Sequence, residues 1–263
     1  MTDWWQTILL AVVQGVTEFL PVSSSAHLIL PAQILGWPDQ GLMFDVSVHA
    51  GTLLAVVYYF RVTVSRLLLS LMPGDGIDRS ELLTLFVGTM PVIVAGFALK
   101  EFIETEARGV LVIATATIFF GLLLGWADRG ARRRATQPDA ISLRDAFWIG
   151  LAQMFALIPG TSRSGVTITA ALFLGYPATA ATRFSFLLSM PVILGASIMM
   201  LVSAPHENLL STGSMVLPPL IASAIFAYGT ISLFMRLVER VGLMPFVIYR
   251  LILGALLLAW ALQ

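Results

Sequence analysis

Gln14 and Glu18 stand four residues apart, so on a helix they share one face and can reach one cation or one polar ligand. Hard divalent cations such as magnesium and calcium take oxygen ligands of this kind. Ser23, Ser24 and Ser25 follow the break at Pro21, and His27 lies three residues after Ser24. A Ser–His pair can serve nucleophilic or acid–base chemistry. Far along the chain, Pro159-Gly160-Thr161-Ser162-Arg163-Ser164-Gly165 forms a second polar cluster, with Thr167 one turn further on. Free N–H groups at a helix start, joined by a guanidinium, make an anion site, and phosphate is the natural guest because Arg binds it bidentately. Gly160 and Gly165 permit close backbone approach there. Each feature also has a purely structural explanation. The Gln–Glu pair can satisfy a broken helix, a Ser can be an N-cap, the His can cap a polar pocket, and the Arg can tie a loop to a helix C-terminus.

The surroundings of the clusters weigh against those explanations. The chain is 58% hydrophobic and only 11% charged, where a soluble domain carries about 25% charged residues. It reads as a membrane protein with little mass outside the bilayer. A carboxylate or guanidinium at membrane depth costs about 2.5–3.5 kcal/mol on insertion scales and therefore faces an interior site. Two such clusters, each breaking an apolar stretch with Pro and Gly, point to one buried polar site assembled from two parts of the chain. The formal net charge of zero gives no sign of a nucleic-acid partner. The absence of Cys excludes disulfides, iron–sulfur clusters and Cys-ligated zinc. No Walker loop, G-x-S-x-G elbow or His-based zinc pattern occurs. The N-terminus has no basic region and does not read as a cleaved signal peptide.

The elements that must position these residues follow from bilayer thickness. A spanning helix needs about 20 apolar residues, which predicts spans near 43–60, 82–99, 109–126, 184–203, 216–235 and 244–262. Residues 4–36 and 145–175 are apolar but interrupted. Each reads as a short helix, a Pro-containing polar break and a second short helix ending at Gly36 or Gly175. Arg61, Arg66 and Arg79 flank a loop near 61–81, Arg129, Arg132, Arg133, Arg134 and Arg144 crowd one near 127–144, and Arg236 and Arg240 mark a third. By the positive-inside rule these loops are cytoplasmic and both termini lie outside. Arg183 and Arg250 then fall near cytoplasmic ends and are expected to snorkel, while Trp4, Trp5, Trp126 and Trp148 suit interfacial anchoring. The predicted fold is one all-α membrane domain of about six spanning helices and two re-entrant hairpins. It forms an inverted repeat, approximately 1–126 and 145–263, joined by the basic linker 127–144. Met90-Pro-Val-Ile93 and Met190-Pro-Val-Ile193 are identical but fall at non-equivalent places in that scheme, and read as two Pro-bent helices. Asp45 and His49, again four apart, are placed in supporting positions at the outer entrance.

At the two clusters the chain resembles the bacitracin-resistance type of undecaprenyl-diphosphate phosphatase. The shared marks are Gln14-x-x-x-Glu18 running into Phe19-Leu20-Pro21-Val22-Ser23-Ser24, then Pro159 to Gly165, and the C-terminal Pro245-Phe-Val-Ile-Tyr249-Arg250. The resemblance implies a bacterial inner-membrane enzyme that hydrolyses undecaprenyl diphosphate to the monophosphate and inorganic phosphate. That reaction recycles the lipid carrier of cell-wall synthesis and confers bacitracin resistance. It further implies a divalent cation, Mg2+ or Ca2+, and a site open to the periplasm. The implied partners are the lipid substrate and the membrane, and a homodimer is compatible with it. Carried over by position, Gln14 and Glu18 serve the metal, and Glu18, Ser24, His27 and Arg163 serve catalysis. Ser23, Gly160, Ser162, Arg163, Ser164 and Thr167 contact the substrate. Gln14 stands where many members have Glu, and Gln cannot act as a base, so Glu18 must carry any proton transfer from that motif. The nucleophile stays open between Ser24, His27 and water. A second function fits the same architecture, because inverted repeats broken at the midplane also build transporters that move a lipid phosphate. An intramembrane Ser–His protease is disfavoured, since Arg163 and its turn would have no task.

Overall fold

The computed structural model describes residues 4–73, 78–99, 103, 105–132, 140–202 and 213–263, and these form helices and turns with no strand among the described residues. Met1 to Asp3, Lys100, Arg133, Arg134 and the connection 203–212 lie outside the described residues. So do the expectations that rest on them, for the N-terminus and much of the basic loop.

Six helices are long and apolar enough to cross a bilayer. They are α3 (Leu42–Tyr59), α5 (Ser80–Ala98), α6 (Val110–Ala131), α9 (Ala178–Val202), α10 (Gly213–Val241) and α11 (Met244–Ala261). At about 1.5 Å per residue each reaches roughly 27 Å or more, the thickness of a hydrocarbon core. Their outer faces expose large apolar side chains, among them Leu54, Phe86, Phe97, Phe119, Ile225 and Leu256. Lipid is the solvent that suits such a surface, and the protein is a multi-pass, all-α membrane protein.

The interrupted regions fold as two pairs of short helices: α1 (Trp4–Thr17) with α2 (Ser24–Leu35), and α7 (Leu143–Gln153), continued by a 3-10 turn (Met154–Leu157), with α8 (Arg163–Leu174). None of the four approaches the length a span requires. Both second helices end where the sequence predicts, at Gly36 and Gly175. These residues take the left-handed φ of 66° and 104° that Gly adopts without steric cost.

The two pairs are exchanged between the halves of the chain. Helix α1 packs mainly on α10, and a Cβ at Gly15 would lie 2.6 Å from the Ser223 carbonyl oxygen. Helix α7 packs mainly on α5, and a Cβ at Gly150 would lie 2.5 Å from the Gly88 carbonyl oxygen. Only Gly allows backbones that close, as in other membrane helix pairs. Helices α6 and α11 pack along each other between the two pairs. Beneath the turns runs an aromatic core in which Phe19 meets Phe186 at 5.2 Å and Phe186 meets Phe234 at 5.8 Å, between ring centroids.

Several boundaries differ from the sequence expectation. Residues 61–69 form a helix, α4 (Arg61–Leu69), where the sequence suggests a loop. Its Arg residues mark a membrane edge but do not oppose helix formation, and Val62, Leu68 and Leu69 stay exposed along it. Helix α6 runs on to Ala131, so Arg129 is helical and the linker starts later than residue 127. Helix α9 begins at Ala178, ahead of the apolar run, because Thr179, Thr182 and Arg183 are tolerated in its first turns.

Candidate active site

Each short pair turns on a Ser with a left-handed backbone. Ser23 has φ 77° and Ser162 φ 71°, and they are the only non-Gly residues with positive φ among the described residues. Such a conformation costs of order 1–3 kcal/mol and persists only when its surroundings over-determine it. Ser23 and Ser162 are separated in the chain by the same interval as Gly36 and Gly175, and as Gln14 and Gln153. In that register Pro21 matches Gly160, and Ser24 matches Arg163.

The turns bring those last two residues to one carboxylate. Arg163 Nη2 lies 2.8 Å from Glu18 Oε1, an ion pair whose side chains are 11% and 8% exposed. Ser24 Oγ donates to Glu18 Oε2 at 2.6 Å, and Gln14 Nε2 donates to the same oxygen at 2.9 Å. Arg163 is steadied by Nη1 donating to the Ser185 carbonyl at 3.2 Å. Its helix is tied down by Thr167, whose hydroxyl donates to the Arg163 carbonyl at 2.9 Å and lies 2.7 Å from Ser185 Oγ.

The turns also bond directly to each other. Gly160 N donates to Ser23 Oγ at 3.2 Å, and Ser164 Oγ donates to the Leu20 carbonyl at 2.9 Å. Ser162 caps α8 by accepting from Gly165 N at 3.1 Å, as its residue type suggests. Ser23 makes no such cap, because its hydroxyl is given to the opposite turn. Gly160, at φ 94°, leaves no room for a side chain, since a Cβ there would run into the Ile113 carbonyl.

A cavity of about 180 Å³ opens on this group, lined on its polar side by Glu18, Ser23, Ser24, Ser25, His49, Ser162 and Arg163. The apolar wall is Val92, Ala156, Leu157, Val192, Ile193 and Ala196. Both Met-Pro-Val-Ile repeats therefore contribute to it, from α5 and α9, although they are not equivalent in the chain. Helices α2 and α8 both begin at this cavity, so two sets of free N–H groups and two positive dipole ends face one space.

Of the predicted site residues, Glu18, Ser23, Ser24, Ser162 and Arg163 line this cavity, while Gly160, Ser164 and Thr167 stand behind it in the bonds between and beneath the turns. His27 does not line the cavity. Its Nδ1 lies 2.7 Å from the Ser23 carbonyl and its Nε2 2.5 Å from Tyr249 Oη, with the rings stacked. Ser24, the first helical residue of α2, turns back to Glu18, while His27 is aimed at α11. His49, expected only to support the entrance, lines the cavity, with Nδ1 2.7 Å from the Asp45 carbonyl. Asp45 itself lines a different cavity, with Trp37, Asp39 and Arg108. Gln14 reaches the cavity only through Glu18.

Two arginines depart from expectation as well. Arg183 pairs with Glu81 at 2.6 Å. Arg250 does not snorkel: it is 0% exposed. Its Nε donates to the Thr117 carbonyl at 3.1 Å, Nη1 to Pro21 at 3.3 Å, and Nη2 to Ala116 at 3.5 Å and Gly160 at 2.9 Å. An Arg between apolar neighbours reads as a span end, and the only sequence cue to burial was the run of small residues on α6 that makes room for it.

Among the described residues no three of His, Cys, Asp and Glu gather as a metal cage. The pair Glu18 and Gln14 is nevertheless a hard-oxygen donor set with spare capacity, because Gln14 Oε1 is buried without a hydrogen-bond partner.

A family profile described as "Bacitracin resistance protein BacA" matches residues 7–256. The chain is 52% identical to a protein of Alcanivorax borkumensis and 52% identical to one of Chromohalobacter salexigens. Each match covers 98% of this chain and 99% of the relative. It is 48% identical to a protein of Hahella chejuensis, over 98% of both chains. All three relatives bear the name undecaprenyl-diphosphatase.

Proposed function

The chain belongs to the BacA family of bacitracin resistance proteins, and from that footing we propose that it hydrolyses undecaprenyl diphosphate to undecaprenyl phosphate and inorganic phosphate. The observation that carries the reading is the convergence of Arg163 and Ser24, from two strained turns, on the two oxygens of Glu18.

The chemistry follows from that arrangement. Arg163 and the first N–H groups of α8 take the phosphoryl oxygens, matching charge that shifts onto them in the transition state. Ser24 Oγ attacks the terminal phosphorus and passes its proton to Glu18, while the anhydride P–O bond breaks and isoprenyl phosphate leaves with the bonding electrons. Water then displaces Ser24 from phosphorus. Glu18 returns its proton to Ser24 Oγ, and the proton of water leaves with inorganic phosphate. His27 braces the strained Ser23 backbone through its carbonyl and touches no reacting atom. Glu18 and Gln14 would hold a divalent cation, Mg2+ or Ca2+, which when bound would neutralise diphosphate charge as a Lewis acid.

The finer placement rests on charge and length. The basic residues around α4 and the 127–144 linker support a cytoplasmic position for that side and a periplasmic one for both termini, the orientation of a bacterial inner-membrane protein. The short helix pairs are then opposed re-entrant hairpins of an inverted repeat, with the cavity reached from the periplasm. Recycling of the lipid carrier and bacitracin resistance follow from that placement, and a homodimer is compatible with it.

The test is phosphate release from a long-chain isoprenyl diphosphate by the purified protein, with and without chelator. Glu18→Gln and Arg163→Ala are expected to lose activity by about 10²–10³-fold or more, and the chelator to abolish it. Near-normal rates in both folded variants would end the reading.

A further inference from the structure

Arg250 takes no part in the chemistry above, yet it is the largest fully buried side chain described. No carboxylate among the described residues lies within ion-pair range of it; its donors go to backbone carbonyls alone. Two of those carbonyls are special. Pro21 and Gly160 are matched positions in the register that superposes Ser23 on Ser162. One arm of the guanidinium bonds the first, at 3.3 Å, and the other arm the second, at 2.9 Å. A planar fork with its donors in fixed directions suits two related acceptors, and Lys cannot reproduce it. The molecule makes space for the group: a Cβ at Gly121 would lie 3.1 Å from Arg250 Cβ and 3.4 Å from its Nε, and one at Gly165 would lie 2.9 Å from Nη1.

We infer that Arg250 is the positioning residue of the active site, a clasp whose two arms fix the turn carrying Glu18 and Ser24 against the turn carrying Arg163. Apart from the Arg163–Glu18 ion pair that the site itself uses, the direct bonds between the turns, from Gly160 N and Ser164 Oγ, are neutral. Arg250 adds two that are charge-assisted. Both turns are backbone conformations that relax without support, so the clasp holds Ser24 and Arg163 on their separate oxygens of Glu18. A misplacement of about 1 Å between reacting groups costs on the order of a hundredfold in rate.

This inference rests on the proposed phosphatase site, and its test separates the two. Arg250→Lys, Gly121→Ala and Glu18→Gln are purified as full chains, and kcat, KM and melting temperature are measured with a long-chain isoprenyl diphosphate. Arg250→Lys is expected to lower kcat about a hundredfold, well beyond what its lower melting temperature accounts for, with KM close to the parent. Gly121→Ala crowds the clasp from behind without touching either turn, and is expected to lower kcat roughly fivefold in the same pattern. It decides the matter if the Lys variant does not fold. Parental kcat in Arg250→Lys, or a loss that only follows the melting temperature, overturns the clasp while an inactive Glu18→Gln leaves the phosphatase reading intact. Activity in Glu18→Gln overturns the site itself.

Discussion

The two turns are built to one plan and carry different work. Each places a Ser at positive φ just before a helix and ends that helix at a left-handed Gly. In the second turn the Ser162 hydroxyl stays at home and caps α8, and Gln153 bonds the Gly88 carbonyl of the neighbouring helix. The position matching Glu18 is Leu157, part of the apolar wall. In the first turn the Ser23 hydroxyl leaves its own helix for Gly160, and Gln14 bonds Glu18. The second half thus presents donors, a cation and N–H groups, with Ser164 Oγ also reaching across to the Leu20 carbonyl. The first half exports its polar groups, and has both the carboxylate and the hydroxyl. Two turns of one plan thus carry unlike side chains, the carboxylate and hydroxyl on one and the guanidinium on the other.

That contrast is open to test, beginning with the largest effect. Ser24→Ala removes the hydroxyl that sits on Glu18, and phosphate release is expected to fall by about 10³-fold or more. A fall below tenfold would move the nucleophile from Ser24 to water and leave the first turn only a binding role. Smaller effects should separate the paired serines. Ser23→Ala leaves the Gly160 N–H without its acceptor across the turns, a loss of about 1–3 kcal/mol, which should appear in kcat. Ser162→Ala removes a cap inside one helix, about 1 kcal/mol, which should appear mainly as a lower melting temperature. If the two variants behave alike in both assays, the division of labour is wrong. Least affected should be Arg183→Ala. Its pair with Glu81 is exposed by 40% and 31%, so solvent screening leaves at most about 1 kcal/mol, and phosphate release should stay at the parental rate.

Much of this was legible in the sequence because the bilayer writes in large letters. The cost of bare backbone and charge in lipid fixes span length and makes Glu18 and Arg163 stand out, and their meeting at 2.8 Å is what two isolated charges at that depth imply. Local direction was not legible. Ser24 and His27, three residues apart, suggest a pair, but the strained backbone at Ser23 turns Ser24 towards Glu18 and leaves His27 on Tyr249. His49 lines the cavity because α3 passes beside it, which its spacing from Asp45 does not reveal. Arg250 departs from expectation because an Arg near the start of a span usually rises to the headgroups, and only three-dimensional packing shows the carbonyls that receive it. The matching Met-Pro-Val-Ile segments carry no weight as a repeat, yet Val92 and Val192 come to one wall.

The exchanged seating of the short helices bears on how the protein is made. Helix α1 leaves the ribosome long before α10, the helix whose Ser223 backbone receives Gly15. Until then the first short pair lacks its main packing partner, and Glu18 gains its guanidinium only with Arg163, 145 residues later in the chain. The catalytic centre therefore closes last, once the C-terminal helices are inserted, and a nascent chain halted at the basic linker holds no finished active site.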